Sequence, residues 1–190
     1  MKLGLFDHMQ KHDNPALSYV ELYKNHLEIL ECADQTGMDF YFVAEHHFDM
    51  GFSECPSPGS FLGAASQRTK RIRLGPLVYV LPLWNPIRVA EEVALLDNLT
   101  EGRLECGFGA GIGPFSFFEG SFICGSPETV VGQIKKIVND AGADTFLGEF
   151  TFGELTQKQA LNSLRLFTEQ VVPELRKFEI DALNFPKAET

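Results

Sequence analysis

Residues 66–92 read SQRTKRIRLGPLVYVLPLWNPIRVAEE and predict a β-strand that leads into an α-helix. The apolar run at 72–81 is rich in residues that favour strands. Asn85 can cap a helix, Pro86 suits the first helical position, and the apolar residues after it are spaced to form one helix face. A strand followed at once by a helix is the repeating unit of a parallel sheet, so an α/β fold is predicted.

The same alternation of strand and helix continues on both sides. Upstream, strands are predicted at 2–6 and 38–44, and the helix between them begins at the capping box of Ser18 and Glu21 and ends at Gly37. Further strands are predicted at 103–108, 121–124 and 145–147. Further helices are predicted at 59–67, from Pro86 to Leu99 and from Pro127 onward. A last helix begins at the capping box of Thr156 and Gln159 and bends or ends at Pro173. Six strands and five helices are therefore predicted.

The composition argues against several classes of protein. Sixteen basic and 26 acidic side chains give a formal charge of −10, which disfavours nucleic acid or an anionic membrane surface as a partner. No apolar run approaches the ~18–20 residues that span a bilayer, and the carboxylate of Asp7 comes too early for a secretory signal, so a cytoplasmic protein is predicted. Four widely spaced cysteines favour reduced thiols over a zinc site or disulfides: Cys32, Cys55, Cys106 and Cys124.

Three motifs, taken in order, carry a family resemblance. They are Ala44-Glu45-His46-His47-Phe48, the segment at 66–92, and the segment LDNLTEGRL at 96–104. Together they resemble the bacterial luciferase-like flavin monooxygenases. The resemblance implies a (β/α)8 barrel that uses reduced flavin mononucleotide (FMN) and molecular oxygen on a small organic substrate. It also implies a flavin reductase as the partner that supplies reduced flavin.

The chain is short for a complete barrel of this type. A (β/α)8 barrel usually needs ~250 residues, with ~200 as a practical minimum, and this chain has 190. Glycines and a proline interrupt residues 109–114, and no helical pattern follows up to residue 120, although parallel neighbours need a long crossover. We therefore predict that residues 1–190 form a single truncated luciferase-like barrel, with an internal deletion near 112–120 that removes the middle strands. The related non-fluorescent flavoprotein of luminous bacteria is also a shortened barrel.

The predicted active site lies at the carboxyl ends of the strands, where the βα loops of a barrel gather. By resemblance His46 matches the catalytic histidine of the family, and an imidazole can transfer protons near neutral pH. Glu45, His47 and His8 are predicted to line the substrate pocket. In the alternative interpretation the adjacent histidines only pack against the next loop, and Asp7 and His8 are solvated loop residues. No metal is predicted, because adjacent histidines on an extended chain point to opposite faces.

Two further segments are candidates for flavin binding. Leu77 and Val78 align with the strand in which luciferase carries a non-proline cis peptide beneath the flavin ring, although an ordinary buried strand explains them as well. Gly109, Ala110 and Gly111 could bring backbone amides close to the flavin phosphate. In luciferase an arginine stands at the position of Ala110 and contacts that phosphate.

Two other features carry structural predictions. Arg103 lies at the opposite face of the barrel, with Asp97 or Glu91 as possible partners. Five phenylalanines near the proposed junction would expose an apolar patch unless they fill the gap or bind a second chain, and a homodimer that covers the open sheet edges is the hypothesis: Phe108, Phe115, Phe117, Phe118 and Phe122.

The predicted function is a luciferase-like monooxygenase. The alternatives are a non-catalytic protein that binds flavin or a flavin derivative, because strand-end motifs are retained while the middle of the barrel is lost, and a remnant that folds without function. Replacement of His46 separates catalysis from the other two, because only an enzyme should lose turnover without losing bound flavin.

Overall fold

A parallel β-sheet covered by helices forms the centre of the computed structural model, which describes residues 1–11, 16–48, 52–109, 123–141, 144–151 and 155–178. The strands are β1 (Lys2–Asp7), β2 (Phe40–Val43), β3 (Arg73–Pro76), β4 (Tyr79–Val80), β5 (Phe108–Gly109) and β6 (Thr145–Gly148). The helices are α1 (Tyr19–Thr36), α2 (Pro58–Ser66), α3 (Pro86–Leu99), α4 (Pro127–Ala141), α5 (Gln157–Leu166) and α6 (Val172–Arg176). A 3₁₀ turn at Leu81–Leu83 precedes α3, and a π-helical segment at Phe167–Val171 joins α5 to α6.

The strand order identifies the fold. The main sheet has the order β3-β2-β1-β6 with every pair parallel, and β4 pairs with β5, also parallel. Thus the last described strand, β6, lies beside the first, as happens when a sheet closes into a barrel. The predicted fold class, an incomplete (β/α)8 barrel, is confirmed.

The third predicted strand, at 72–81, is interrupted. It forms β3 and β4, separated by Leu77 and Val78, and the peptide bond between these two residues is cis. The single predicted strand is therefore two short strands. The structure describes six strands, the number predicted, but two of them come from this one prediction and none from the strand predicted at 121–124.

The fourth predicted strand, at 103–108, does run parallel to β3. Leu74 donates its amide to the carbonyl of Arg103 at 3.0 Å, and Gly107 donates to Pro76 at 2.9 Å, before β5 begins. A side chain at Gly75 would place its Cβ 1.4 Å from the carbonyl oxygen of Glu105. Glycine is required there because the neighbouring backbone passes so close.

The prediction downstream of β5 is only partly testable. Ile123 and Cys124 are not in a strand, so the part of the predicted strand at 121–124 that the structure describes is wrong. The proposed deletion junction at 112–120 lies outside the described residues, as do Ala110, Gly111 and all of the five phenylalanines except Phe108.

Most of the predicted helix ends are confirmed. Ser18 and Glu21 form a complete capping box, Thr156 and Gln159 form a second one, and Gly37 ends α1 in the left-handed conformation with φ 95°. Asn85 caps α3 by accepting from the amides of Ile87 and Arg88. The last predicted helix is divided, because Pro173 has no amide to donate, and the wider π-helical turn directly precedes α6, near whose start this proline lies.

The hydrophobic core lies between the sheet and the helices. It joins side chains of the strands to those of α1, α2, α4 and α5, among them Leu3, Leu5, Tyr41, Val43, Leu74, Leu27, Leu30, Leu62, Ile134, Val138 and Leu164. Arg103 has a structural role, as predicted, but the predicted partners are wrong. Its guanidinium donates to backbone carbonyls of Ser66, Thr69 and Ile72 and to the hydroxyl of Thr69 at 3.0–3.2 Å, so it fastens the end of α2 to the start of β3.

Candidate functional site

The carboxyl ends of β1 and β2 bring two of the predicted residues together. The ring centroids of His8 and His46 are 5.8 Å apart, and Phe52 packs against both, at 5.1 and 5.4 Å. The His46 amide donates to the carbonyl of Cys55 at 3.2 Å, which holds the loop after β2 beside this edge. Parallel strands end at the same edge of a sheet, and the two half-buried imidazoles therefore form the centre of the candidate site.

His8 is the more constrained of the two histidines. Its ring packs edge-on against Phe6 with the centroids 4.6 Å apart, and its Nδ1 is buried without a hydrogen-bond partner. Burial and the nearby His46 lower the pKa of His8, and the charge of Asp7 only partly offsets them. The imidazole is consequently neutral at pH 7 and can accept or donate a hydrogen bond to a bound molecule.

Asp7 faces away from the histidine pair, into the layer between the sheet and α1. It is only 2% exposed, and its Oδ2 accepts hydrogen bonds from His26 at 2.7 Å and Tyr41 at 2.5 Å. Its Oδ1 accepts from the amide of Met9 at 2.8 Å. Burial raises the pKa of Asp7, but the charge interaction with His26 and these hydrogen bonds outweigh burial, so the pKa is lowered. Asp7 is thus a buried anchor, and the expectation that it is a solvated loop residue is wrong.

Glu45 and His47 form a separate cluster. The Glu45 side chain is fully buried and accepts from the Val80 amide at 3.0 Å, from the Trp84 indole at 2.8 and 3.0 Å, and from His47 at 2.7 Å. These contacts tie the end of β2 to β4 and to the 3₁₀ turn. They favour a positioning role for Glu45, and the prediction that it and His47 contact substrate is not tested by this geometry.

Leu77 and Val78 lie beside the end of β2. The Leu77 amide donates to the carbonyl of Val43 at 2.9 Å, both side chains are half-buried, and the cis peptide lies where the family resemblance implies one. A Cβ at Gly109 would lie 2.8 Å from Val78 Cγ2. The absence of a side chain at Gly109 therefore has a packing explanation, independent of any phosphate.

The sequence analysis missed one acidic residue at this edge. Glu149 follows directly after β6, and its Oε1 is buried without a hydrogen-bond partner. Burial, and then the charge of Asp7, raise the pKa of Glu149 to about 8. A carboxyl group that stays protonated at neutral pH is a frequent feature of functional sites. The available signal was a charged residue at the end of the last predicted strand, but the sequence did not indicate which strand lies next to it.

These residues offer a partial fit to a flavin. Leu77 and Val78 present apolar surface suited to one face of a flat ring, and the orphaned His8 Nδ1 suits a polar ring atom. The fit is limited to the ring part, since Ala110 and Gly111 of the predicted phosphate segment lie outside the described residues. Within the described ranges, no group of three or more His, Cys, Asp or Glu side chains is arranged to hold a metal ion. None of the helices there is long and apolar enough to cross a membrane.

Comparison with known sequences assigns the family. Residues 1–117 match the family model described as luciferase-like monooxygenase, which is more than half of the chain. The chain belongs to the luciferase-like monooxygenase family, and the resemblance seen in its motifs is confirmed.

Individual relatives match only in part. The oxygenase component of the flavin-dependent trigonelline monooxygenase of Acinetobacter baylyi is 33% identical over 117 residues, which cover 62% of this chain and 32% of that protein. More generally, the chain spans 37%, 32% and 25% of the length of three curated relatives that it matches.

Two solved structures share the fold. Monooxygenase RslO1 from Streptomyces bottropensis has a TM-score of 0.80 at 16% identity, and the match covers 92% of this chain and all of that one. The fold of the matched part of this chain therefore has a counterpart in a crystal structure. The oxygenating constituent of 3,6-diketocamphane monooxygenase from Pseudomonas putida, in complex with FMN, has a TM-score of 0.54 at 20% identity, over 90% of this chain and 39% of that one.

Proposed function

We propose that this chain is an oxygenase component that uses reduced FMN and molecular oxygen to oxidise a small organic molecule. The observation that carries the proposal is the meeting of His8, His46 and Phe52 at the carboxyl edge of the sheet, in a chain of this family. The relatives named as flavin-dependent, and the FMN complex of one structural neighbour, support the choice of cofactor.

In this proposal the chain's own residues bind, orient and exchange protons. Leu77 and Val78 form one wall against the flavin ring, and the rings around His46 exclude water from it. His46 transfers a proton to or from the bound molecules, a role that suits an imidazole near neutral pH. When bound, reduced flavin would supply the electrons that activate oxygen.

Two partner proposals follow from the same reasoning. A flavin reductase would supply the reduced flavin, since the trigonelline relative is named as the oxygenase component of its system. We also propose a homodimer that covers the open strand edge near β5, supported by Phe108, whose side chain is 50% exposed there.

The test is an anaerobic titration with reduced FMN, followed by oxygen and product measurements on a panel of small ketones, aldehydes and N-heterocycles. We expect micromolar or tighter binding by the wild type. His46→Ala should keep that binding within about threefold and lower kcat by ~10²-fold or more, the usual contribution of a general acid or base.

A surface side chain away from this edge provides the control. Arg68→Ala removes only an exposed ion pair with Glu31 and should leave kcat unchanged. Equal losses in the two variants would contradict the role of His46. Binding of flavin without any turnover would favour the non-catalytic flavin-binding alternative, and no binding at millimolar reduced FMN would overturn the proposed function.

A further inference from the structure

Buried polar atoms without partners concentrate at one edge of the sheet. They are His8 Nδ1 after β1, Ser53 Oγ in the loop after β2, and Glu149 Oε1 after β6. The other two such atoms among the described residues are both on α4, in Gln133 and Asn139. Buried polar groups in folded proteins nearly always have partners. Three buried polar atoms without partners at the carboxyl edge therefore indicate a place where a bound molecule supplies the missing hydrogen bonds.

The direction of the Glu149 side chain follows from the strand register. Gly4 of β1 is opposite Leu147 of β6, and a Cβ at Gly4 would lie 2.6 Å from Leu147 Cδ2, so both positions face the same side of the sheet. Side chains alternate along a strand, so Phe6 faces that side as well. Glu149 is the first residue after β6, and the alternation continued by this one residue places its side chain there too.

The direction of Phe150, two residues after the end of β6, supports this assignment. Phe150 contacts Phe167 of the π-helical segment with ring centroids 5.0 Å apart, which places Phe150 in the helix layer. Glu149, the preceding residue, therefore faces the concave side of the sheet, the side on which the His8 ring packs against Phe6.

The two carboxyl groups at this edge have opposite surroundings. Asp7 accepts hydrogen bonds from His26, Tyr41 and the Met9 amide, whereas Glu149 Oε1 accepts none. The negative charge consequently resides on Asp7, and Glu149 keeps its proton at pH 7 in agreement with its raised pKa. A neutral carboxyl group aimed at a ligand is a hydrogen-bond donor, not a counter-ion.

We propose that Glu149, acting as a neutral donor, binds an uncharged carbonyl oxygen of a ligand on the concave side of the sheet, next to His8. This inference rests on the proposed function for the identity of that ligand. The carbonyl oxygen belongs either to the flavin ring or to the organic substrate, and the two sources share the same chemistry.

The first experiment measures the protonation of Glu149 without any ligand. In protein labelled with ¹³C at the glutamate carboxyl groups, one resonance should titrate between pH 7 and 9 and should be missing from the spectra of Glu149→Gln. The other titratable groups at this edge are Asp7 at the end of β1, His8 directly after it, and Glu45, His46 and His47 after β2, and the variant separates Glu149 from them. Titration of every glutamate below pH 6 would overturn the proposal.

The second experiment measures binding by two variants. Glu149→Gln retains a neutral N–H donor of similar size, whereas Glu149→Leu removes the donor. The probes are reduced FMN, titrated anaerobically, and cyclohexanone, followed by ligand-observed NMR with FMN present. We expect Glu149→Leu to weaken one of the two probes by about tenfold and Glu149→Gln to stay within about threefold of the wild type.

The outcomes separate the two sources of the carbonyl oxygen. A loss confined to FMN assigns it to the flavin, and a loss confined to cyclohexanone assigns it to the substrate. Equal losses in Glu149→Gln and Glu149→Leu, or no loss in either, would overturn the proposal. Thermal unfolding of both variants verifies that they fold. If the wild type itself fails to bind reduced FMN, the proposed function fails, while the carboxyl titration and the cyclohexanone measurements still test Glu149.

Discussion

Asp7 joins four parts of the molecule through one buried carboxylate. Its oxygens accept from His26 on α1 and Tyr41 on β2, and Thr151, just beyond β6, donates to Oδ1 at 3.3 Å. The network fixes the end of β1, and with it the position from which His8 projects to the other side of the sheet. A residue outside the predicted pocket thus sets the geometry inside it.

We predict that Asp7→Asn lowers the free energy of unfolding at pH 7 by ~3 kcal/mol, because His26 and Tyr41 lose the charged acceptor that they share in the buried layer. The pKa of Asp7 is lowered on folding, so the stabilisation from its ionised form is present above the unfolded-state pKa, 3.8, and is lost as the pH falls through the folded-state pKa below that value. Urea unfolding at pH 7 and between pH 2 and 4 measures both effects.

The control for this prediction is Asp97→Asn on the exposed surface of α3, which should change stability by less than ~0.5 kcal/mol. A loss at pH 7 as small as that of the control would refute the anchoring role of Asp7. The wild type should lose stability between pH 4 and pH 2 as Asp7 takes up a proton, and this loss should be absent in Asp7→Asn.

The sequence predicted that His8 and His46 lie in one pocket, but not the roles of their neighbours. Neighbouring parallel strands end at the same edge of a sheet, so residues just after β1 and β2 lie close together. A side chain at that edge faces either the helices or the concave side of the sheet. Which of the two it faces follows from the alternation of side chains along the strand, once the pairing with the neighbouring strand is known. The register between β6 and β1 determines that Asp7 and Glu149 face opposite sides of the sheet. The local sequence around each residue does not indicate that register.

At the scale of elements, Glu45 connects β2 to the segment that carries Leu77 and Val78. Its carboxylate accepts from the Val80 amide and from the Trp84 indole, so one side chain holds the start of a second strand pair against the end of the main sheet. The connection spans residues far apart in sequence and positions the proposed flavin wall.

We predict that Glu45→Gln lowers the free energy of unfolding by ~1.5–3 kcal/mol, because hydrogen bonds to a charged acceptor are stronger than those to an amide and one amide group would face a donor. Chemical denaturation measures the loss. Glu31→Gln is the matched control, since Glu31 forms only a surface pair with Arg68 at 3.3 Å, of a kind that contributes ~0–1 kcal/mol. Similar losses in both variants would argue against the connecting role.

Local signals predicted element ends well where one residue determines the backbone. The caps at Ser18, Asn85 and Thr156 lie at the predicted positions. The break in the strand at 72–81 and the π-helical segment before Pro173 were not predicted in that form, because both depend on how neighbouring elements pack and not on the propensities of their own residues.

At the scale of the whole molecule, the sheet is an arc. β6, β1, β2 and β3 form its continuous part, and β4 with β5 extends it. No described strand pairs with the far side of β5. Of the five phenylalanines in the dimer hypothesis, the described residues include only Phe108. The deletion near 112–120, the single domain and the cytoplasmic location stay predictions.

We predict a homodimer at micromolar concentration, because an exposed apolar side chain beside a strand edge that no described strand covers favours self-association. Sedimentation equilibrium of the wild type should give twice the chain mass of 21.2 kDa. Phe108→Glu should shift the mass toward the monomer, and Leu155→Glu, which is also an exposed apolar position but lies before α5, should not. A monomeric wild type across the micromolar range would refute the dimer.

The position of β1 in the sheet also has a consequence for synthesis on the ribosome. β1 can pair with β2 early, but its other neighbour, β6, ends at Gly148, 72 residues after β3 ends at Pro76. At translation rates of ~5–20 residues per second, that interval lasts ~4–14 s. During this time one edge of β1 has no partner strand and can pair with other chains, so the yield in cells depends on how well chaperones cover that edge until β6 emerges.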